Sequence, residues 1–346
     1  MVRDPRAAGL AAVLILGSAL GCVGTGGVDR SLLPASPVAL LQRPEAEALR
    51  RLSALEDLER ARTGTATTQE GVASLGGIRS LFGGAEDVDP RLIQSRGHLV
   101  LLDPRSGQIE RLASAPPQAR PAAWSPDRRQ LLLSGTWRDR RQLFRWDRES
   151  DMMEIVTGGQ RHHVNGCFAA GGRLVAVQVP SLSLQQAPSR LVASGPGGGA
   201  LEPVTESGFH FAMGCSPTRP QVAFVRVSPD DGRPHLLVLD LDPLGEPKEI
   251  ATGAAPVFTP DGDWIVYVGI TTEGGRLFRV RPDGTGRTRL SDGIHDEGSP
   301  AVSPDGRYVA YVISDRDGRE RLWVRRIDGT GDRPLMTDGD GAVPVW

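Results

Sequence analysis

A near-constant repeat of about 44 residues constrains the fold of this 346-residue chain more than any other feature. Each copy has a Ser-Pro-Asp-like turn or a remnant of one. The residues that directly precede these positions are Trp124, Phe168, Cys215, Phe258, Val302 and Trp346, at intervals of 44, 47, 43, 44 and 44. After each of the first five, an apolar run is centred eight residues further on. A fixed period of this length marks a repeat architecture, so each copy is expected to be one structural unit.

The last complete unit predicts four strands. Ser303-Pro304-Asp305-Gly306 is a tight turn, because proline presets φ, aspartate bonds nearby N–H groups and glycine accepts positive φ. Tyr308–Val312 and Leu322–Val324 have the composition of buried strands, and Asp328-Gly329-Thr330-Gly331 is a hairpin turn before a fourth strand at Pro334–Thr337. Four strands in about 44 residues are typical of one propeller blade.

These residues resemble a known family, the TolB-like propeller repeat. The unit before the last carries Thr259-Pro260-Asp261-Gly262 and Asp283-Gly284-Thr285-Gly286 at the corresponding positions. The resemblance covers about Ile93 to Trp346 and implies a β-propeller.

A sixth unit is split between the two ends of the repeat region. Val343-Pro344-Val345-Trp346 reads as an innermost strand, and His98–Leu102 and Gln108–Leu112 supply outer strands. Joining them closes the ring and removes its open edge. The chain is therefore predicted to be all-β, with a six-bladed β-propeller over residues 90–346 that is closed by its N- and C-terminal strands.

The first 21 residues are predicted to be a lipoprotein signal peptide. Arg3 and Arg6 precede an apolar segment, Ala7–Leu20, that is too short to span a membrane. Ala19-Leu20-Gly21-Cys22 resembles the bacterial lipobox, which implies a lipid on Cys22; an ordinary secretory signal is the alternative. The residue after Cys22 is Val23 and not the aspartate that marks retention in the inner membrane. The periplasmic side of the outer membrane is therefore favoured over inner-membrane anchorage or export to the surface.

Residues 22–89 are expected to form a lipidated tether. A helix is predicted over residues 44–62, since Leu49, Leu52, Leu55 and Leu58 lie along one side, and a Gly/Ser/Thr-rich linker follows it. This helix is interpreted as a spacer, a partner-binding helix or part of a disordered tether.

Charge and motifs exclude several classes of function. A formal net charge of −2 gives no electrostatic reason to bind nucleic acid. The chain contains neither a phosphate-binding Gly-rich loop with its lysine nor a G-x-S-x-G nucleophile motif, so no cofactor and no nucleophilic catalysis are expected.

Two cysteines besides Cys22 remain, Cys167 and Cys215, on predicted innermost strands of neighbouring blades. An oxidising compartment allows a disulfide between them. Their registers differ by one residue, which points side chains to opposite faces of a sheet and favours two buried free thiols. Both alternatives stay open.

Candidate partner-binding residues lie on one predicted rim and in one hairpin. Trp and Arg are enriched in interface hot spots. The candidates are Trp137, Arg138, Arg140, Arg141, His163, His210, His295, Asp296, Glu297, Asp338 and Asp340. The leading hypothesis is a non-enzymatic, monomeric envelope lipoprotein that binds a protein or cell-wall-associated partner. The alternative is a metal-dependent carbohydrate-active or hydrolytic propeller that uses the His/Asp rim.

Overall fold

The computed structural model describes residues 27–43, 97–180, 188–228, 231–291, 293, 295–314, 319–336 and 339–346. Within these ranges no helix has the length and apolar character needed to cross a membrane. The predicted signal peptide, Cys22, the predicted helix over 44–62 and Asp338 lie outside the described residues.

Almost all regular structure in the described residues is β. Two short 3-10 helices occur there, at Arg30–Leu32 and Ala170–Gly172. The strands, in chain order, are β1 (Val38–Arg43), β2 (His98–Leu102), β3 (Ile109–Arg111), β4 (Arg120–Trp124), β5 (Gln130–Trp137), β6 (Arg140–Asp147), β7 (Met153–Ile155), β8 (His162–Ala169), β9 (Arg173–Val179), β10 (Arg190–Gly195), β11 (Gly198–Pro203), β12 (His210–Cys215), β13 (Gln221–Val227), β14 (Pro234–Asp240), β15 (Lys248–Thr252), β16 (Ala254–Phe258), β17 (Ile265–Thr271), β18 (Gly274–Val280), β19 (Thr288–Arg289), β20 (Asp296–Val302), β21 (Tyr308–Ser314), β22 (Glu320–Arg326), β23 (Arg333–Pro334) and β24 (Asp340–Val345).

The strands form six antiparallel four-stranded sheets, which confirms the predicted six-bladed propeller. Blades 1 to 5 are β4–β7, β8–β11, β12–β15, β16–β19 and β20–β23, and the closing blade has the order β24-β1-β2-β3. The first strand of each blade packs against the first strands of both neighbours, including β24 against β20 and β4. The ring is thus complete, and the core lies between the blades.

The ring has two faces with different loops. The entry face carries the hairpins between second and third strands and the segments that enter each first strand. The turn face carries the Ser-Pro-Asp-like turns and the hairpins between third and fourth strands. These two names are used below.

The Ser-Pro-Asp-Gly turn closes as its residue types predict. The Ser303 hydroxyl donates to Asp305 Oδ1 at 2.6 Å and accepts from the Tyr308 N–H at 2.9 Å. Gly306 has φ of +71° and donates its N–H to the Ser303 carbonyl. The aspartate holds the turn, the serine links it to the second strand, and glycine provides a φ that other residues adopt at a cost.

The closing blade differs from its predicted composition in one strand. Val38–Arg43, which the sequence assigned to the tether, forms β1 and pairs with both β24 and β2. His98–Leu102 is therefore the third strand of this blade and Ile109–Arg111 the fourth. In blades 1 to 5 a short turn connects the first strand to the second, whereas in the closing blade β24 and β1 are joined only by the hydrogen bonds of the sheet. The Ser-Pro-Asp-like turn therefore does not precede β1.

The segment before β1 also belongs to the propeller. Val28 and Leu33 are completely buried in the apolar cluster between blade 5 and the closing blade. The Val28 N–H donates to the Gly331 carbonyl, and the Arg333 guanidinium donates to the Val28 carbonyl. The predicted boundary near residue 90 is thus wrong for residues 28–43, and residues 44–96 connect β1 to β2 within the closing blade.

Candidate partner-binding face

The β5–β6 hairpin of blade 1 lies on the entry face, as predicted. Arg138 and Asp139 form its two-residue turn, both with positive φ, which matches the right-handed twist of the flanking strands. Trp137 exposes 49% of its surface, and the Arg138 guanidinium carbon lies 5.7 Å from the centre of its ring. A cation over an indole face holds the ring in place while leaving it exposed.

The other two arginines of the hairpin have different environments. Arg141 is buried and donates to the Gln118 carbonyl and to the Ser134 hydroxyl. It therefore supports the hairpin and is not a contact residue, contrary to the sequence prediction. Arg140 is half-buried and reaches toward Gln160 Oε1 at 3.5 Å.

Arg161, next to Gln160, is exposed and extends the cationic surface. Sequence reasoning missed it, because its position beside the hairpin depends on how blade 2 packs on blade 1. The backbone carbonyl of Arg161 accepts a hydrogen bond from Gln142 Nε2 on β6, which fixes this loop against the hairpin. We call Trp137, Arg138, Arg140 and Arg161 the Trp137 patch.

His163 is buried in a hydrogen-bond chain between blades 1 and 2. Gln178 Nε2 donates to His163 Nε2 at 3.2 Å, so Nδ1 carries the proton and donates to Gln142 Oε1 at 3.0 Å. Arg190 Nε donates to Gln178 Oε1, which leaves the Gln178 side-chain amide nitrogen facing His163. The Thr157 hydroxyl donates to Gln142 Oε1, the oxygen that also accepts from His163. Protonated His163 would present an N–H to the Gln178 amide N–H group. Burial, and to a smaller extent the neighbouring His162, lowers the pKa of His163 to about 4. His163 is therefore a neutral structural residue.

Because His163 is buried in its neutral form, the free energy of unfolding is expected to fall in acid. Unfolded histidine has its ordinary pKa of about 6.5, so between about pH 6.5 and about pH 4 the unfolded chain binds a proton that the folded chain does not. The stabilisation is complete above this window and is lost as the pH falls through it, by about 3 kcal/mol at most. Urea unfolding at about pH 7 and about pH 4.5 should show a smaller loss for His163→Gln than for the wild type.

His235→Gln is the matched control. The carboxylates of Glu249 and then Asp231, which accept hydrogen bonds from the His235 ring, raise the pKa of His235, so its contribution to stability has the opposite dependence on pH. The control should lose at least as much stability in acid as the wild type. An unchanged acid loss in His163→Gln would contradict the neutral tautomer.

His210 is also buried. Its Nδ1 lies 3.0 Å from the Ser189 carbonyl, its ring packs against Phe224, and burial lowers its pKa. The expectation that His163 and His210 lie on an accessible rim is therefore wrong, since both side chains face into blade interfaces.

The three candidates at the start of blade 5 have different exposures. His295 is exposed, and its backbone carbonyl accepts from the buried Arg276. Asp296 is half-buried and accepts the Gly275 N–H at 2.6 Å. Glu297 is only 2% exposed and pairs with Arg325 at 3.0 Å. Only His295 and part of Asp296 are available at the surface.

Asp340 lies in a buried charge cluster that joins the closing blade to blade 5. Arg43, directly opposite Asp340 on β1, pairs with Glu320 at 2.6 Å, and Arg319 lies 3.6 Å from Asp340. Burial raises the pKa of Asp340, an effect that Arg43 opposes. Asp340 is 2% exposed, so it contributes to the seam rather than to a contact surface.

The metal hypothesis has less support than partner binding. Three or more His, Cys, Asp or Glu side chains that could hold an ion do not come together anywhere in the described part of the chain. The three histidines that the hypothesis requires lie in different blades, and two of them are committed to hydrogen bonds inside the protein.

Cys167 and Cys215 are joined by a disulfide that links β8 of blade 2 to β12 of blade 3, with their Cα atoms 5.6 Å apart. The one-residue offset in register does point them to opposite faces of their own sheets. Because neighbouring blades stack front to back, opposite faces meet in the interface, where both cysteines pack in one apolar cluster. The offset that argued for free thiols is thus what allows the bond.

Comparisons with known proteins agree with the repeat. The Tol-Pal system protein TolB of Rhizorhabdus wittichii is 37% identical over 65 residues, which are 18% of this chain and 15% of that protein. The TolB of Gluconobacter oxydans is 29% identical over 98 residues, 27% of this chain and 21% of that protein. The structure of TolB from Acinetobacter baumannii superposes with a TM-score of 0.60 at 16% identity, covering 92% of this chain and 67% of that one. The chain is a TolB-like β-propeller protein.

Fold similarity alone does not assign a function to this TolB-like propeller. No protein-family model matches the chain. It spans about a fifth or less of the length of the two curated TolB relatives. Hydrazine synthase of Kuenenia stuttgartiensis superposes equally well, with a TM-score of 0.62 at 14% identity over 90% of this chain and 46% of that one. One fold thus serves unrelated functions, and the function must be argued from the surface.

Proposed function

We propose that this protein is a non-enzymatic lipoprotein of the bacterial envelope whose propeller binds a protein or cell-wall-associated partner through its entry face. The observation that carries the proposal is the Trp137 patch. Trp137 is a half-exposed indole on a hairpin with a two-residue turn, next to exposed cations, while the neighbouring histidines are buried in the scaffold. Tryptophan and arginine are the residue types that dominate binding energy at interfaces.

The curated relatives support an envelope location, since two of them are named as proteins of the Tol-Pal system. We propose that Cys22 carries the lipid and that the protein lies, as a monomer, on the periplasmic side of the outer membrane. A lipid anchor raises the effective concentration of the propeller near an envelope partner, so a small patch of modest affinity is sufficient.

A photo-crosslinking residue at Trp137 tests the partner surface in the intact envelope. We expect a discrete adduct from this position that is lost when Arg138 and Arg140 are both changed to Glu, because the charge reversal removes the cationic surround. Met152 provides the control position, since it is 67% exposed in the β6–β7 hairpin of the same blade but on the turn face. Equal adducts from both positions would contradict an entry-face site.

The lipid anchor has a separate test. Cys22→Ser should move the protein from the membrane fraction to the soluble fraction. If the variant stays with the membrane, the anchor is not at Cys22.

A further inference from the structure

We propose that the rim of the turn face at blade 5 and the closing blade lies against the phospholipid surface that holds the anchor, with the entry face directed away from it. This inference rests on the proposed lipid on Cys22 and adds an orientation to it. The surface concerned, the anchor rim, consists of Leu32, Arg105 and Arg333.

The length of the tether is the first argument. The sequence alone predicts a tether of 68 residues, from 22 to 89. In the structure the chain is already fixed at Val28, whose N–H donates to Gly331 in the β22–β23 hairpin of blade 5. Only residues 23–26 separate Cys22 from Gly27. Five Cα steps span at most about 18 Å, so the attachment point cannot move far from the bilayer surface.

The firmness of the attachment is the second argument. Val28 and Leu33 are fully buried, and Arg30 donates to the Leu335 carbonyl of blade 5. Arg105, in the β2–β3 hairpin of the closing blade, donates to the Leu33 carbonyl. The segment is thus bonded to two blades on their turn-face side, so the tether cannot lengthen by peeling away without exposing two core residues.

The chemistry of the rim is the third argument. Leu32 is 56% exposed, and the segment that carries it is held by Arg105 at the Leu33 carbonyl and by Arg333 at the Val28 carbonyl, both of them residues with exposed surface. Arginine binds phosphate oxygens and leucine packs among acyl chains, so the set suits a phospholipid surface. Of the carboxylates in these segments, Asp332 is paired with Arg325 at 2.8 Å, and Asp29 accepts from Ser31.

Orientation follows from where the rim lies. The hairpins at Gly331 and Arg105 both belong to the turn face, whereas the Trp137 patch lies on the entry face of blade 1. A tether this short at the turn face leaves the entry face accessible to a partner on the other side. Residues 44–96 likewise join the propeller at its entry face, between β1 and β2.

Site-specific labelling of the lipidated full chain in its own membrane tests this orientation. Single cysteines carrying a fluorophore would be placed at three exposed positions and quenched by phospholipids with a nitroxide on the headgroup. Leu32→Cys reports on the anchor rim. Leu244→Cys, equally exposed at 56%, lies on the turn face of blade 3, opposite the closing blade. Thr272→Cys lies in the β17–β18 hairpin on the entry face of blade 4.

We expect quenching at position 32 to be several-fold stronger than at positions 244 and 272. A second variant with about twenty Gly/Ser residues inserted before Gly27 adds about 25 Å of root-mean-square reach. It should stay in the membrane fraction while the three positions become equal. Equal quenching with the natural tether overturns the inference and leaves the lipid anchor intact, whereas a contrast that survives the insertion supports the orientation and assigns it to the chemistry of the rim instead of the tether length. Recovery of the wild-type protein in the soluble fraction overturns the anchor and the inference together.

Discussion

Trp346→Ala should lower the free energy of unfolding by about 3–5 kcal/mol, the range for removing a large buried aromatic side chain. Trp346 is 5% exposed and packs in the cluster that joins blade 5 to the closing blade. Its indole N–H donates to the Ser36 carbonyl at 3.0 Å. The substitution therefore leaves a cavity and an unpaired carbonyl at the one place where the ring is closed without a covalent turn. Urea-induced unfolding monitored by circular dichroism measures the change.

Trp137→Ala provides the matched control for this substitution. The same side chain is removed from a hairpin where about half of it is already in water. The expected change in the free energy of unfolding is within about 0.5 kcal/mol, as for ordinary surface substitutions. Similar losses in both variants would contradict the special role of the closing blade. A change within this range would also mean that Trp137 can be replaced in binding experiments without weakening the ring.

Arg325→Met should lower the free energy of unfolding by about 3–5 kcal/mol, because breaking a buried ion pair leaves its partner charged and unpaired. Arg325 is 1% exposed on β22 and contacts the buried Glu297, the Tyr311 hydroxyl and the Leu290 carbonyl at 3.0, 3.0 and 2.7 Å. It also pairs at 2.8 Å with Asp332, whose side chain is 40% exposed and stays in contact with water when the pair is broken. Since Leu290 belongs to blade 4, this one side chain ties two blades together. The same unfolding experiment measures the loss.

A double-mutant cycle separates the ion pair from the loss of packing. Glu297→Gln in the Arg325→Met background removes the unpaired charge, so the double variant should be more stable than the sum of the two single changes predicts. The exposed pair of Arg129 and Glu149, whose side chains are 68% and 80% accessible, gives the control. Arg129→Ala should change stability by less than about 1 kcal/mol, because water screens such a pair. Strict additivity in the cycle would show that the buried pair contributes little.

The residues that stabilise the propeller and the residues proposed to bind the partner lie in different parts of the molecule. The seams between blades hold the buried aromatic, charged and disulfide contacts, whereas the Trp137 patch lies at the end of a hairpin. Variants of the patch are therefore suited to binding experiments, since a lost interaction would not be the result of unfolding.

The number of blades and the position of most strands could be read from the amino-acid sequence. The period of about 44 residues is set by the length of four strands and their turns, and turn residues such as Gly306 act through local φ preferences that need no tertiary contacts. The hairpin position of Trp137 also follows from local order along the chain. Turns and hairpins of this kind are specified by residues only a few positions apart in the chain, so they can be recognised without knowledge of tertiary contacts.

Three features depend on contacts between segments that are distant in the chain: which residues close the ring, which side chains are accessible, and where the tether meets the propeller. Val38–Arg43 has no turn signal of its own, because it joins its blade by pairing with Asp340–Val345 at the other end of the propeller. The burial of His163 and His210, and the meeting of Cys167 with Cys215, depend on how one blade stacks on the next. Local sequence fixes the direction of a side chain relative to its own strand, but the neighbouring blade decides whether that side chain meets water, a hydrogen-bond partner or another thiol.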